Sequence, residues 1–244
     1  MPSLRDAWWH NIQELRQKTD AIYQRREVDI WAITTDKIIE ARHWVCNRER
    51  LYQVVQEAGV FYVPKTLPPG PLICFPEVDA CGEIHRAQNK PLGDFFGSDR
   101  YQTFGIKAEL FVGPVWLGNT DQTLQQILDL HEVVVVEGPF DYLAAHYAAP
   151  EVPVLCSLTK SLGDKHFAYL KILGVKRVHL LYDNDPPGLK AMAWLNKQSH
   201  SRTGQDVMIP CETLICPAED PSDCLQDRSD ISRLTKLLKS VVDE

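Results

Sequence analysis

The chain has 244 residues, 44% hydrophobic and 24% charged, enough apolar material for one substantial core or two modest ones. With 33 acidic against 26 basic residues, the net charge of −7 argues against nonspecific coating of nucleic acid, which rests on lysine and arginine neutralising phosphates. An enzyme acting on nucleic acid is still compatible with that charge, because a cluster of carboxylates would supply the acidic excess and a bound divalent cation would reverse the local field. No stretch approaches 18 consecutive apolar residues, and the N-terminal MPSLRDAWWHN has no signal-peptide apolar region. A cytoplasmic protein with no membrane partner is expected. The seven cysteines (46, 74, 81, 156, 211, 216 and 224) are an odd, scattered set without the C-x2-C pairing of structural zinc sites, so neither a disulfide framework nor zinc is expected.

From Leu4 to about Gly59 apolar residues recur at three- and four-residue spacing: Trp8, Ile12, Leu15, then Ile38, Ile39, Trp44, Val45, Leu51, Val54 and Val55. Two or three amphipathic helices are predicted. Their arginines, Arg25, Arg26, Arg42, Arg48 and Arg50, belong either to solvated faces or to a surface for nucleic acid or a partner. The run VPKTLPPGP (63–71) reads as a boundary or rigid turn. Beyond it, Leu72 to Phe75, Glu83 to Ala87 and Glu109 to Trp116 read as short strands of a small mixed sheet.

From Glu132 onward strands and helices alternate. Val133–Val136, Val152–Cys156 and Arg177–Tyr182 are predicted strands, with Val207 and Thr213–Cys216 as later strand segments. Phe140–Tyr147, Leu162–Leu173 and Gly188–Ser199 are predicted helices, and Ser229–Val242 a capping helix. This order implies a right-handed parallel α/β sheet. The predicted organisation is residues 1–65 helical, 66–130 a smaller mixed α+β subdomain, 131–228 a Rossmann-like parallel sheet flanked by helices, and 229–244 a C-terminal helix.

The chemistry lies where the apolar runs end. Glu137 follows Val133–Val136 in VVVVEGPFDYLAA, and Asp183 and Asp185 follow Val178–Tyr182 in VHLLYDNDPPGLKAM. Ligands of open α/β sheets bind outside the carboxyl ends of the strands, so these carboxylates are expected in one crevice. Gly138 lets the backbone turn, and Asp141 falls in the first turn of the next helix. A third acidic group, Ala218–Asp223, follows the last apolar run and brings Asp220 and Asp223 to the same edge if that strand is parallel too. Converging carboxylates suit Mg²⁺ or Mn²⁺, which take oxygen ligands and keep waters for phosphates to displace. His146 and His179 read as packed residues. Lys160 and Lys165 either approach a phosphate or form a solvated helix start, and Trp8, Trp9, Trp44 and Trp194 read as core or interface residues.

The arrangement resembles the Toprim fold of primases, type IA and type II topoisomerases and several nucleases, and within it the catalytic core of bacterial DnaG-type primases. VVVVEGPFDYLAA resembles that family's strand-EGxxD-helix, VLCSLTKSLGDKHFAYLKILGVKRVHLLYDNDPPGLKAM its SLT…DGDxAGxKA stretch, and AEDPSD its DPD loop; LICFPEVDACGEIHRAQNK and LFVGPVWLGNTDQ resemble its upstream segments. The likeness runs from about Leu72 to Asp223. It implies Glu137, Asp183 and Asp185 as catalytic metal ligands, Asp141 and Asp220 as accessory acidic ligands, and Arg86 and Arg100 as nucleotide or nucleic-acid contacts, to which the position of Lys160 after the second strand adds a third candidate. It further implies Mg-dependent synthesis of short RNA primers from nucleoside triphosphates on single-stranded DNA, with a replicative helicase as a further partner.

The sequence departs from the family at Val112, where a lysine is usual, and at Asn184 and Pro186-Pro187 within the DGDxAG motif. The family's zinc-binding and helicase-binding domains have no counterpart, so a stand-alone or accessory core is expected. Alternatives that keep the fold are a Toprim nuclease hydrolysing phosphodiesters and a non-catalytic accessory protein of replication, a plasmid or a phage.

Overall fold

The computed structural model describes residues 12–67, 71–78, 84–92, 102–105, 120–158, 162–201 and 209–242. These fall into two compact units, one formed by residues up to His43 and from Asn47 to Gly105, the other by Trp44–Cys46 and everything from Thr120 onward.

The first unit combines helices α1 (Ile12–Arg25), α2 (Ile30–Arg42) and α3 (Arg48–Glu57) with an antiparallel sheet of β1 (Phe61–Val63), β2 (Leu72–Val78), β3 (Ile84–Pro91) and β4 (Gln102–Gly105), in that order. Two of the helices start at side-chain caps. Asp29 accepts from the N–H groups of Trp31 and Ala32, and Asn47 accepts from that of Arg50, each satisfying donors that have no partner inside the helix. Ile12 and Leu15 of α1 bury against Phe61, Val63, Leu72, Cys74 and Ala87 of the sheet, so helices and sheet share one core. The Arg16 guanidinium lies 4.5 Å from the Trp31 ring and 5.0 Å from that of Phe61, closing the edge of this core. Strand β3 runs four residues beyond the predicted Ala87, because Asn89 is buried there and accepts a hydrogen bond from the Cys74 thiol. The predicted strand Glu109–Trp116, with Val112, lies outside the described residues.

The second unit is built on a parallel sheet of β5 (Glu132–Val136), β6 (Val154–Cys156), β7 (Arg177–Leu181) and β8 (Cys211–Thr213), in the order β6-β5-β7-β8. The residues between are helical: α4 (Thr120–Leu130), α5 (Pro139–Ala148), α6 (Asp164–Ile172), α7 (Pro186–Ser201) and, at the end, α8 (Arg228–Lys239). Strands buried on both faces explain the apolar runs seen in the sequence. Val133, Val135, Val178 and Leu180 face one way and pack with Ile127, Phe167, Leu170, Met192 and Leu195 of α4, α6 and α7. Their neighbours Val134, Val136 and Leu181 point to the other face and are equally buried.

Strand order dictates where the helices go. The β5-α5-β6 connection steps one way along the sheet and β6-α6-β7 steps back past β5, so right-handed crossovers place α5 and α6 on opposite faces. The point of reversal lies between β5 and β7.

Sequence reading placed the last strand at Thr213–Cys216, whereas β8 is Cys211–Thr213. Cys216 instead turns inward to Cys224, with the sulfur atoms 3.5 Å apart across a buried contact. Trp44 is buried as expected, its ring edge-on to Phe140 at 6.0 Å, while Val45 donates its N–H to the Leu225 carbonyl. His146 stacks on Tyr142, and buried His179 meets the Glu132 carboxylate at 2.6 Å. Among the described residues no helix is long and apolar enough to cross a membrane.

Candidate metal centre at the carboxyl edge of the parallel sheet

Glu137, Asp183 and Asp185, and Asp220 follow the carboxyl ends of β5, β7 and β8, and those strands lie side by side. Val136 pairs with Leu181, so Glu137 and Asp183 leave adjacent strand ends at the sheet's switch point, where crevices of open α/β sheets form. The 46 residues that separate them in sequence are spent on one helix-strand-helix excursion through β6.

Each acidic loop is held by local hydrogen bonds that its sequence supplies. Ser157 donates both its N–H and its hydroxyl to the Val136 carbonyl, and the Cys156 thiol donates to the Glu137 carbonyl, which fixes the backbone beneath Glu137. Glu137 Oε2 is buried from solvent. Asp185 opens α7, its Oδ1 accepting the Gly188 N–H at 2.6 Å and its carbonyl accepting that of Leu189. Pro186 and Pro187 occupy the first two helical positions, where a missing N–H costs nothing, so the departure from the DGDxAG pattern is compatible with the helix start. Asp220 Oδ1 accepts from the Ser222 hydroxyl and the Asp223 N–H, both at 2.7 Å. Asp223 accepts from the Gln226 amide at 2.8 Å.

Two further bonds tie the loops to one another. The Asn184 N–H donates to the Glu219 carbonyl at 2.6 Å, joining the β7 loop to the β8 loop. Asp141 joins the β5 loop to the same β8 loop: its Oδ2 accepts from the Gly138 N–H at 2.9 Å and its Oδ1 from the Ser222 N–H at 3.3 Å. Asp141 is buried. That burial, and then the charges of Asp220 and Asp183, push its pKa well above the carboxylate range, against the opposing pull of the two N–H bonds.

Alanine at position 141 would leave both N–H groups without their acceptor in a buried place. The expected cost is about 2 kcal/mol, a fall in melting temperature of roughly 4–8 °C for a protein of this size. Differential scanning calorimetry in a metal-free buffer reads it. An unchanged melting temperature would show that the Asp141 bridge does not hold the loops.

Among the described residues no group of three or more His, Cys, Asp or Glu side chains forms a preassembled metal cage. The donor set nevertheless fits a hard divalent cation. It is oxygen-only, it comes from three loops bonded together at one edge, and the charges of Asp183 and Asp220 both reach Asp141. Mg²⁺ needs few protein carboxylates because it retains waters. Of the basic residues expected at the site, Arg86 sits on β3 opposite Glu77 and Gly105, while Arg100 and Lys160 lie outside the described residues.

Residues 134–225 match the family described as Toprim-like. No curated protein sequence matches the chain. Among solved structures, the RNA polymerase domain of Mycobacterium tuberculosis primase DnaG in complex with double-stranded DNA superposes with a TM-score of 0.56 at 21% identity, over 76% of this chain and 59% of that one. A DnaG catalytic core gives a TM-score of 0.59 at 17% identity, covering 91% of this chain and 78% of its own. A DnaG primase catalytic domain bound to single-stranded DNA gives 0.59 at 17% identity, covering 93% and 78%. The chain therefore carries a Toprim-like domain and shares the fold of DnaG catalytic cores, and it spans 59% of the length of the Mycobacterium domain.

Proposed function

We propose that the chain is a primase-type core joining ribonucleoside triphosphates into short primers on single-stranded DNA. The observation that carries this reading is the set of three carboxylate loops bonded together at the switch point of a Toprim-like sheet. Glu137, Asp183 and Asp185 would hold Mg²⁺ or Mn²⁺, with Asp220 at the rim. The cation supplies charge stabilisation for the phosphate oxygens during transfer. The protein's own contribution is positioning. Glu137 and Asp183 present charge from adjacent strands, Asp185 ties its loop to the start of α7, and Asp141 keeps the β8 loop in register. Arg86 and Arg100, from their places in the family motifs, and Lys160, from its place after the second strand of the sheet, would offer cationic groups to template or nucleotide.

Supplying labelled nucleoside triphosphates with an unlabelled single-stranded template, and separately a labelled strand without nucleotides, tests the reading. Metal-dependent growth of oligoribonucleotides in the first mixture is the expected result. Cutting of the labelled strand without any growth would identify a nuclease instead, and inertness in both would leave an accessory binding protein.

A further inference from the structure

Helix α7, Pro186–Ser201, contains no acidic residue, in a chain whose net charge is −7. Its buried side is formed by Gly188, Met192 and Leu195. At 100° per residue the opposite side carries Lys190, Trp194 and Lys197 within an arc of about 60°, and the lysines stand roughly 10 Å apart along the axis with the indole between them. All three are exposed. Trp194 is 51% exposed, against 4% for Trp44, and it is the only aromatic among the large exposed hydrophobic residues described. Leu189, 39% exposed, extends the apolar surface at its side. Among the described residues no ion pair involves Lys190 or Lys197.

The half-exposed indole offers a broad, flat apolar face on which a partner can stack. That partner must match a flat apolar face bordered on both sides by uncompensated positive charge. A base between two phosphates has that pattern, and only a single strand exposes the faces of its bases; a duplex keeps them stacked. We propose that the outer face of α7, Lys190–Trp194–Lys197, is a stacking site for single-stranded nucleic acid. The helix begins at Asp185, so a strand engaged at the carboxylate edge continues along α7. That continuity rests on the nucleotidyl-transfer reading, whereas the binding itself does not.

The test is fluorescence anisotropy of a labelled oligothymidylate titrated with the full chain in EDTA, where no metal chemistry runs. Trp194→Ala should weaken binding by roughly five- to a hundredfold, and Trp194→Phe, which keeps a ring, should recover most of the loss. Replacing Lys190 and Lys197 by alanine should flatten the dependence of log affinity on log salt by about 0.7 per lysine. Should Trp194→Ala lower the melting temperature, the phenylalanine and lysine variants carry the decision. Wild-type affinity in Trp194→Ala together with an unchanged salt slope in the lysine variant overturns the proposal. So does loss of a concentration-dependent self-association in Trp194→Ala with oligonucleotide affinity intact, which would make this face a contact between copies of the chain. Glu137→Gln should bind the oligonucleotide as the wild type does, so a failure of the metal reading shows in activity and a failure of the stacking site shows in affinity.

Discussion

Replacing Glu137 by glutamine or Asp183 by asparagine is expected to lower primer synthesis by about a hundredfold or more while leaving the fold intact. Loss of a group merely supporting a metal ligand already costs tenfold to a hundredfold, so loss of a ligand's charge costs at least that. Both substitutions preserve shape, and the strand ends beneath them are fixed by backbone pairing, Val136 with Leu181. Asp183 raises the pKa of buried Asp141 through charge repulsion, so removing its charge relieves a strain and should leave the melting temperature unchanged or raised. Added Mg²⁺ should raise the melting temperature of the wild type by mass action and that of either variant less. Thermal melts with and without Mg²⁺, alongside the primer assay, separate the two effects. Full activity in both variants, or an Mg²⁺-induced gain equal to the wild type's, would sink the assignment of these residues as ligands.

The second unit was legible in the sequence because β5 and β7 are buried on both faces and so read as apolar runs, each closely followed by its acidic residue, whereas β8, Cys211–Thr213, has one buried residue and left no such run. The same logic located Glu137, Asp183, Asp185 and Asp220 at one edge once the strands proved parallel. What escaped the reading is nonlocal. Asp141, expected as an accessory ligand, also accepts a backbone N–H on each of its oxygens, one of them from Ser222, 81 residues away, a contact no spacing rule could foresee. Trp194 sits at helical spacing, which predicts a face but not which side that face takes. Gly188, Met192 and Leu195 occupy the buried side, and the tryptophan is left outside. Likewise nothing local announces that Trp44–Cys46, lying between two helices of the first unit, joins the second through Phe140 and Leu225.

The departure at Pro186-Pro187 makes Gly188 the position on which the second acidic loop depends, and Gly188→Ala is expected to damage both fold and site. Ordinary helix propensity predicts the opposite, since alanine is better than glycine inside a helix by about 1 kcal/mol. Here, however, a Cβ at position 188 would lie 2.1 Å from the Asp183 carbonyl oxygen and 3.0 Å from its carbonyl carbon, and 3.0 Å from Asp185 Oδ1. The first two are backbone atoms, which cannot swing aside, and the third is a side-chain oxygen held by its hydrogen bond from the Gly188 N–H. With prolines at the first two helical positions, the Gly188 N–H is also the first donor available to Asp185, so the helix cannot retreat without breaking its own cap. Overpacking against fixed atoms costs about 3 kcal/mol, which outweighs the propensity gain and predicts a net fall in melting temperature of roughly 4–8 °C. Because the displaced atoms belong to Asp183 and Asp185, primer synthesis should fall together with stability and should not recover at low temperature, where the folded fraction is restored. Activity that returns in full on cooling would mean that the glycine serves folding alone, whereas a melting temperature above the wild type's would mean that the close approach of α7 to Asp183 does not exist in solution.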